Sequence, residues 1–433
     1  RARLVAFLEQ AGVKDDTLIL VLSDNGASQE GGPLGMVNAM GPYNMKFDPM
    51  PEKLTRLEDI GGPDSHSNFP HGWAMASNTP LRRYKQNTHG GGIRDPLVVS
   101  WKNGLPARGE LRHQFAHACD LTPTILDILG LVPPDVIAGV PQAPMEGTSF
   151  AASLTDPGAP SKAQPQYFEM FGHRGLWQDG WKAVAFHPPG APFENDRWEL
   201  YHLDSDFSET EDLAEREPAR LAAMIEAWWR EAERCKVLPL DDRFGPRFAE
   251  NALRHQGARK QFVFHKGMGH VPSDCAPDVR SRSYVIEADV NLSDGDEGVL
   301  VAHGDATSGY SLFVRDGRLH HTLNVGGLRT TVSSDRAIAP GRRKLGLRCR
   351  QGDGRRFTLT IDGEAAGEIA THMGFLTLIS WSGLDIGRDR GSPVGDYAEP
   401  FKFTGALRTV TVTMDADQDL DGEAVGAAEM ARE

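Results

Sequence analysis

Cysteine is nearly absent: Cys119, Cys235, Cys275 and Cys349 are the only four in 433 residues, they stand far apart, and no Cys-x-x-Cys pair occurs. That excludes a disulfide framework and a zinc knuckle and points to a reducing compartment, the cytoplasm, with the periplasm as the alternative. Basic charge is short as well. Lys and Arg total 46 against 60 Asp and Glu, a formal net charge of -14, and so acidic a surface repels phosphate backbones and anionic lipids. Neither nucleic acid nor a membrane is an expected partner. No apolar run approaches the roughly 18 residues of a membrane span. The first residues hold neither Met nor a basic-apolar signal segment, so Arg1 reads as a start within a domain. Apolar and aromatic residues, by contrast, are plentiful. Hydrophobic residues make up 39% of the chain, with 19 Phe and 8 Trp, too many for a disordered protein. The length is about three typical domains of roughly 150 residues.

The pattern changes along the chain. Leu4, Val5 and Leu8 recur at helical spacing up to Ala11-Gly12, which predicts a helix closed by glycine. The unbroken run 18–22 predicts a strand buried on both faces of a parallel sheet, ending in Ser23-Asp24-Asn25-Gly26, where open α/β sheets bind ligands. From 27 to 88 no period lasts, which predicts a long excursion packed by Tyr43, Phe47, Phe69 and Trp73. A second buried strand is expected over 96–101, then a helix over 120–129 with Pro123 in its first turn and Gly130 behind it. Residues 1–160 therefore read as an α/β layer domain.

Over 161–240, short strands at 167–171, 181–186 and 198–203 precede a helix carrying Leu221, Met224, Ile225, Trp228 and Trp229 on one stripe. Core packing against a small antiparallel sheet is the natural use of that stripe. Residues 241–272 have no clear period and read as a linker. From 273 to 414 the texture is all β, with runs at 284–290, 298–303, 310–315, 318–323, 344–350, 357–361, 376–380 and 401–413. Asp316-Gly317 and Asp362-Gly363 are hairpin turns between them, and the set predicts a β-sandwich. Residues 415–433 form an acidic tail. Its Asp417, Asp419 and Asp421 invite an EF-hand reading that fails on count, because the twelfth loop position is Ala428 and Glu429 falls one residue late.

Two segments carry chemistry. Asp24-Asn25-Gly26 offers two hard oxygen ligands side by side, suited to Ca²⁺ or Mg²⁺, although the same tripeptide makes an ordinary turn. Farther on, Asn78-Thr79-Pro80 is followed by Arg82, Arg83, Lys85, His89, Gly90-Gly91-Gly92 and Ile93-Arg94-Asp95-Pro96. Three cations and a histidine before glycines, whose N–H groups can approach an oxyanion, suggest an anion cradle. A solvated basic loop is the other reading.

In this order, with Asp-Leu-Thr-Pro-Thr-Ile-Leu-Asp at 120–127 behind them, these motifs resemble the C-terminal half of the sulfatase family on its alkaline-phosphatase-like scaffold, and within it the large bacterial arylsulfatases. The likeness continues through Asp196-Arg197-Trp198-Glu199-Leu200-Tyr201 and into 298–303 and 311–319, which look like the jelly-roll-type domain of that branch. The resemblance implies that Asp24 and Asn25 are two of the ligands of a Ca²⁺, with Mg²⁺ the lesser choice, and that Lys85 binds the substrate sulfate. It makes His89 a neighbour that hydrogen-bonds the ester, or else a satisfied loop histidine. The position before the glycine pair, commonly Glu in the family, is Gly90 here.

The family's nucleophile is a formylglycine made from the first residue of Cys-x-Pro-x-Arg, which lies upstream of the Asp-Asn-Gly strand. No such segment occurs in the 433 residues. Cys275-Ala276-Pro277-Asp278-Val279-Arg280 puts its arginine one position late and follows the metal pair instead of preceding it. The family's N-terminal pair of Asp ligands is missing too. The resemblance therefore implies the C-terminal portion of an arylsulfatase acting on a small aryl or alkyl sulfate ester, inactive without its N-terminal half. The alternatives are a phosphohydrolase or phosphonate monoester hydrolase on the same scaffold, and a non-catalytic carbohydrate-binding or docking protein. A row of exposed aromatics such as Trp381 and Tyr397 would mark the last.

Overall fold

The computed structural model describes residues 2–106, 109–162, 164–243 and 259–415. The chain gathers into two compact units, one made of Arg1–Ser28 and Ala74–Asp242, the other of Gln29–Trp73 and Arg243–Glu433. The excursion that the sequence presents as one loop is thus divided between them. All four cysteines are free thiols. Among the described residues no helix is long and apolar enough to cross a membrane.

In the first unit the opening helix spans Ala2–Gln10 and is followed by Gly12 at φ 70°. Ile19–Leu22 then pairs with Leu97–Ser100, but antiparallel, with Ile19 opposite Ser100 and Leu22 opposite Leu97. Among the described residues the expected parallel sheet, buried on both faces, does not form: the two strands pair only with each other, and Leu22 and Val98 stay 43% and 59% exposed. An unbroken apolar run reports a demand for burial and leaves the direction of the partner open. The helix Leu121–Leu129 carries Pro123 in its first turn and ends at Gly130 in the left-handed region, the conformation that glycine adopts without penalty.

The small sheet has four antiparallel strands, Gln166–Met170, His173–Gln178, Trp181–Ala185 and Trp198–His202, in chain order. Sequence reading missed His173–Gln178 because His-Arg-Gly-Leu-Trp-Gln shows no alternation. Its flanking turns, Phe171-Gly172 and Asp179-Gly180, have positive φ at both residues and were the available signal. The helix Pro218–Arg234 lays Met224, Ala227 and Trp228 on Leu176, Ala183 and Leu200. Trp228 is fully buried and donates its Nε1–H to the Phe168 carbonyl at 3.1 Å, whereas Trp229 is 38% exposed.

The second unit holds two antiparallel sheets. In strand order, one is Glu364–Thr371, Arg355–Ile361, Gly341–Gln351, Tyr284–Leu292, Ala406–Met414 and Gln261–His265. The other is Leu328–Ser333, Arg318–Val325, Ser308–Arg315, Gly298–Asp305 and Leu384–Ile386. Ile286, Leu345, Leu347 and Val410 of the first share one core with Leu300, Leu312 and Leu323 of the second. Asp316-Gly317 and Asp362-Gly363 make their turns with both φ values positive, as expected of tight hairpins.

Gln261–His265 lies where the sequence predicts linker, and the alternating burial of Phe262 and Phe264 explains why it joins the sheet edge. Residues 376–380 are loop instead of strand. The excursion over 29–73 forms short helical turns and is held by polar contacts: Asn38 Nδ2 donates to the Thr307 carbonyl at 3.0 Å, and Asn44 Oδ1 accepts the Leu376 N–H at 2.8 Å. Of the four aromatics expected to pack it, Phe47, Phe69 and Trp73 are 47%, 50% and 66% exposed, and Tyr43 alone is half-buried. Tyr397 is half-buried against Phe313 and Phe401, and Trp381 is exposed, edge-on to Tyr43. The two candidates for an aromatic row therefore do not form one. The acidic tail from 416 onward lies outside the described residues.

Candidate active site

The two motif segments meet in the first unit. Gly26 N–H donates to the Gly92 carbonyl at 3.2 Å, Ala27 N–H to Asn78 Oδ1 at 3.0 Å, and Lys85 N–H to the Ala27 carbonyl at 3.0 Å. Asn78 Nδ2 closes the junction by donating to the Arg83 and Gly91 carbonyls at 3.0 and 2.9 Å. Glycine is required here by proximity, since a Cβ on Gly26 would stand 1.6 Å from the Gly91 oxygen. Asp24, Asn25, Lys85 and His89 are thus carried on two loops sutured to one another, 60 residues apart in sequence.

The glycine run does not form an anion cradle. Gly91 N–H donates to the Arg82 carbonyl, Gly92 N–H to the His89 carbonyl, and Gly90 N–H to Glu209 Oε2 at 2.9 Å, so all three donors are spent within the protein. The glycines serve close backbone packing instead.

Two carboxylates hold the loop, half-buried Glu199 on the strand Trp198–His202 and buried Glu209 in the segment after it. Glu199 Oε2 meets His89 Nε2 at 3.1 Å, accepts Tyr201 OH at 2.5 Å and receives Arg82 at 3.2 Å. The bond to His89 keeps the Glu199 carboxyl down at about 2, against the opposing effect of its own burial. His89 is buried, and burial lowers its basicity, so the neutral imidazole is favoured. Glu209 is buried with Lys182, whose Nζ lies 2.5 Å from Oε1. Burial alone would raise the Glu209 pKa, but the Lys182 charge and the Gly90 N–H outweigh it and hold the carboxylate ionised. Sequence reading singled out Asp196 to Tyr201 as a motif without giving Glu199 a role, and it had no signal for Glu209 or Lys182.

At the other end of the site, Asp24 is exposed and Asn25 half-buried, with Asn25 Nδ2 donating to the Gly26 carbonyl at 2.9 Å and its Oδ1 available as a donor to a cation. Asp95 stands close enough to Asp24 to feel its charge: burial first, and Asp24 second, push the Asp95 carboxyl up to about 6. Uncompensated negative charge over hard oxygens fits a divalent cation. The set is incomplete by itself, because among the described residues no group of three or more His, Cys, Asp or Glu side chains is placed to hold a metal.

Residues 2–131 match the family profile of sulfatases. That segment is similar to sulfatases, and so are the curated relatives it matches. An uncharacterised sulfatase of Schizosaccharomyces pombe is 29% identical over 252 residues, 55% of this chain and 42% of its own length. The arylsulfatase of Klebsiella aerogenes is 28% identical over 154 residues, 34% of this chain and 30% of its own. The N-acetylgalactosamine-6-sulfatase of Canis lupus familiaris is 40% identical over 82 residues, 18% of this chain and 15% of its own. The chain spans less than half the length of each of these relatives. The matched segment is the one that contains both site loops.

Proposed function

We propose that this chain supplies the metal and sulfate side of an arylsulfatase-type sulfuric ester hydrolase. The observation that carries the reading is the hydrogen-bonded suture between the Asp24-Asn25-Gly26 turn and the loop bearing Lys85 and His89. On this reading Asp24 and Asn25 give two oxygens to a Ca²⁺, which would neutralise sulfate oxygens and polarise the S–O bond. The Lys85 ammonium binds the sulfate and offsets charge on the leaving oxygen as the bond breaks. His89, tied to Glu199, hydrogen-bonds the ester or fixes the loop that does.

The 433 residues contain no Cys-x-Pro-x-Arg, so the formylglycine nucleophile and the remaining metal ligands belong to an N-terminal sulfatase half outside them. Loss of a covalent nucleophile leaves only residual rate, and the 433 residues by themselves should turn over no ester. The two-sheet unit is read as the jelly-roll-type sandwich of the arylsulfatase branch. The free thiols, Cys275 exposed among them, favour the cytoplasm over the periplasm.

A phosphohydrolase is the competing reading. A phosphate monoester carries nearly two charges where a sulfate ester carries one, and would favour two metals and more cations. Asp24 and Asn25 supply ligands for one metal. The test is hydrolysis of 4-nitrophenyl sulfate, 4-nitrophenyl phosphate and phenyl phosphonate esters by the protein joined to a Cys-x-Pro-x-Arg half and matured to the aldehyde. Preference for sulfate, lost in Lys85→Ala, supports the reading, and preference for phosphate or phosphonate overturns it.

A further inference from the structure

We propose that Arg83 and His173 form a binding site for a carboxylate, beside the loop that bears Lys85 and His89 in the first unit. Arg83 belongs to the turn that leads into Lys85, and His173 is the first residue of the strand His173–Gln178. Both reach the phenyl ring of Phe186, which follows the strand Trp181–Ala185. The Arg83 guanidinium carbon lies 3.9 Å from the centre of that ring, and the His173 imidazole stacks on it at 4.7 Å between ring centres. One aromatic side chain thus positions a cation and an imidazole together. The His89 ring is near enough to oppose protonation of His173.

Neither polar group is satisfied within the protein. Arg83 is half-buried, yet among the described residues it makes no ion pair and no side-chain hydrogen bond. Glu199, the carboxylate whose charge it feels, is taken up by His89, Arg82 and Tyr201. Burial and the neighbouring Arg82 charge outweigh Glu199 and hold the Arg83 guanidinium below its ordinary value. A half-buried charge without a partner is a cost that an anion removes. His173 Nδ1 accepts the His187 N–H at 2.9 Å, which leaves the proton of the neutral ring on Nε2. Burial, with Arg83 as the next cause, pushes His173 down to about 4. Its ring is therefore neutral at neutral pH, and its Nε2–H is a donor with no acceptor among the described residues.

The backbone points the same way. Arg83 has φ 62° and Gln86 has φ 74°, left-handed values that a long side chain keeps only where its surroundings fix them, as they do at ligand sites. The Asn78 Nδ2 bond to the Arg83 carbonyl, 3.0 Å, fixes the first. One guanidinium and one neutral N–H together offer a single positive charge, and the guanidinium fork matches two coplanar oxygens, the geometry of a carboxylate. A phosphate, more highly charged and not planar, would find no second cation in this pair. Two sources share the chemistry: a carboxylate on the alcohol part of the ester, and a separate small carboxylic acid. The first of these rests on the hydrolase reading above.

The experiment is an NMR titration of the full 433-residue chain with benzoate, read at the His173 ring nitrogens, with benzenesulfonate and inorganic phosphate as comparison ligands. A saturable shift of His173 Nε2 with benzoate, tighter than with the other two, is expected. Arg83→Gln should bind benzoate about tenfold more weakly, through loss of a charge-assisted bond. Arg83→Lys should fall between, because an ammonium does not match both oxygens, and it carries the comparison if Arg83→Gln does not fold. Arg230→Gln, a charge lost elsewhere in the unit, should bind as wild type does. Absence of a saturable shift in wild type at about 10 mM benzoate, ten times a millimolar Kd, overturns the proposal. So does an unchanged Kd in both Arg83 variants, or benzenesulfonate or phosphate binding as tight as benzoate's. The source is assigned with the protein joined to its N-terminal half, from the ratio of kcat/KM for carboxyphenyl sulfates to that for phenyl sulfate. A fall of that ratio by about tenfold in Arg83→Gln supports a carboxylate on the substrate. An unchanged ratio beside weakened benzoate binding supports a separate acid. Because benzoate binding needs no turnover, its failure leaves the ester reading standing, and failure of the ester assay leaves the benzoate result intact.

Discussion

The carboxylate of Glu209 accepts the backbone N–H of Gly90 at 2.9 Å, joining residues 119 apart in sequence, and turns its other oxygen to Lys182. A Cβ on Gly90 would meet Leu81 Cδ2 at 3.2 Å and Glu209 Oε1 at 3.5 Å, so a larger residue there would press on that pair. The sulfatase pattern commonly places Glu at this position. In this chain the carboxylate beside the glycine run comes from the segment that follows the small sheet's last strand, Trp198–His202.

Both members of the Glu209 and Lys182 pair are almost fully buried, 1% and 2% exposed. Removing one partner of such a pair leaves an uncompensated buried charge, at a cost of about 3–5 kcal/mol. Glu209→Ala and Lys182→Met should each destabilise the first unit by about that amount in urea unfolding, while the double variant should lose less than the sum. Strictly additive losses would show that the pair is not coupled.

Gly26→Ala places a methyl group where the Gly91 carbonyl oxygen stands, 1.6 Å from the ideal Cβ. Backbone has to move, at a cost of about 1–3 kcal/mol. The two site loops should come apart, seen as faster amide exchange at Gly26, Ala27 and Lys85 relative to the helix Pro218–Arg234. Uniform protection in the variant would show that the loops are not held by their mutual hydrogen bonds.

Much of the fold was readable from periodicity. The stripe of Leu221, Met224 and Trp228, the Gly130 stop and the two Asp-Gly hairpins all stand where local chemistry puts them, because each depends on near neighbours. What could not be read depends on distant ones. Ile19–Leu22 reveals its need for burial and nothing of its antiparallel partner. Gln261–His265 is a strand because Phe262 and Phe264 find a sheet edge prepared by Ala406–Met414. At the site, Asp24, Asn25, Lys85 and His89 were visible as residue types in order. Glu209 was not, because an isolated Glu carries no mark of the lysine it will meet.

Ca²⁺ provides a third check. Asp24 and Asn25 can give about two of the six to eight oxygens that the ion requires. Titration calorimetry on the 433 residues should therefore show affinity no tighter than about 10⁻⁴ M, in the weak range for calcium sites. A matched N-terminal half should tighten it, and Asp24→Asn should abolish the gain. Micromolar affinity in the isolated chain would mean that the ligand set is already complete and that the division of ligands is wrong.

The second unit should be acid-sensitive through two histidines. His303 and His321 are each 1% exposed, and burial pushes both down to about 4 from an ordinary 6.5. For His321 the Ser311 carbonyl, 2.9 Å from Nδ1, opposes burial without overcoming it. A depressed histidine pKa means that the unfolded chain binds the proton more readily than the folded one. Stability is then full above pH 6.5 and is lost as pH falls from there toward 4. A shift of roughly 2.5 units corresponds to about 3 kcal/mol per histidine at the acid limit. Urea unfolding should therefore be nearly flat between pH 7 and 8, then weaken by up to about 1.4 kcal/mol per pH unit for each histidine below that. In His321→Phe the buried Nε2, which has no hydrogen-bond partner, is replaced by carbon, and one titrating group is lost. The variant should be less stable than wild type at pH 7.5, through loss of the Ser311 bond. The gap should narrow by pH 5, where wild type alone bears the cost of holding His321 neutral. Parallel pH curves for the two proteins would show that His321 does not titrate on unfolding and that acid sensitivity lies elsewhere in the unit.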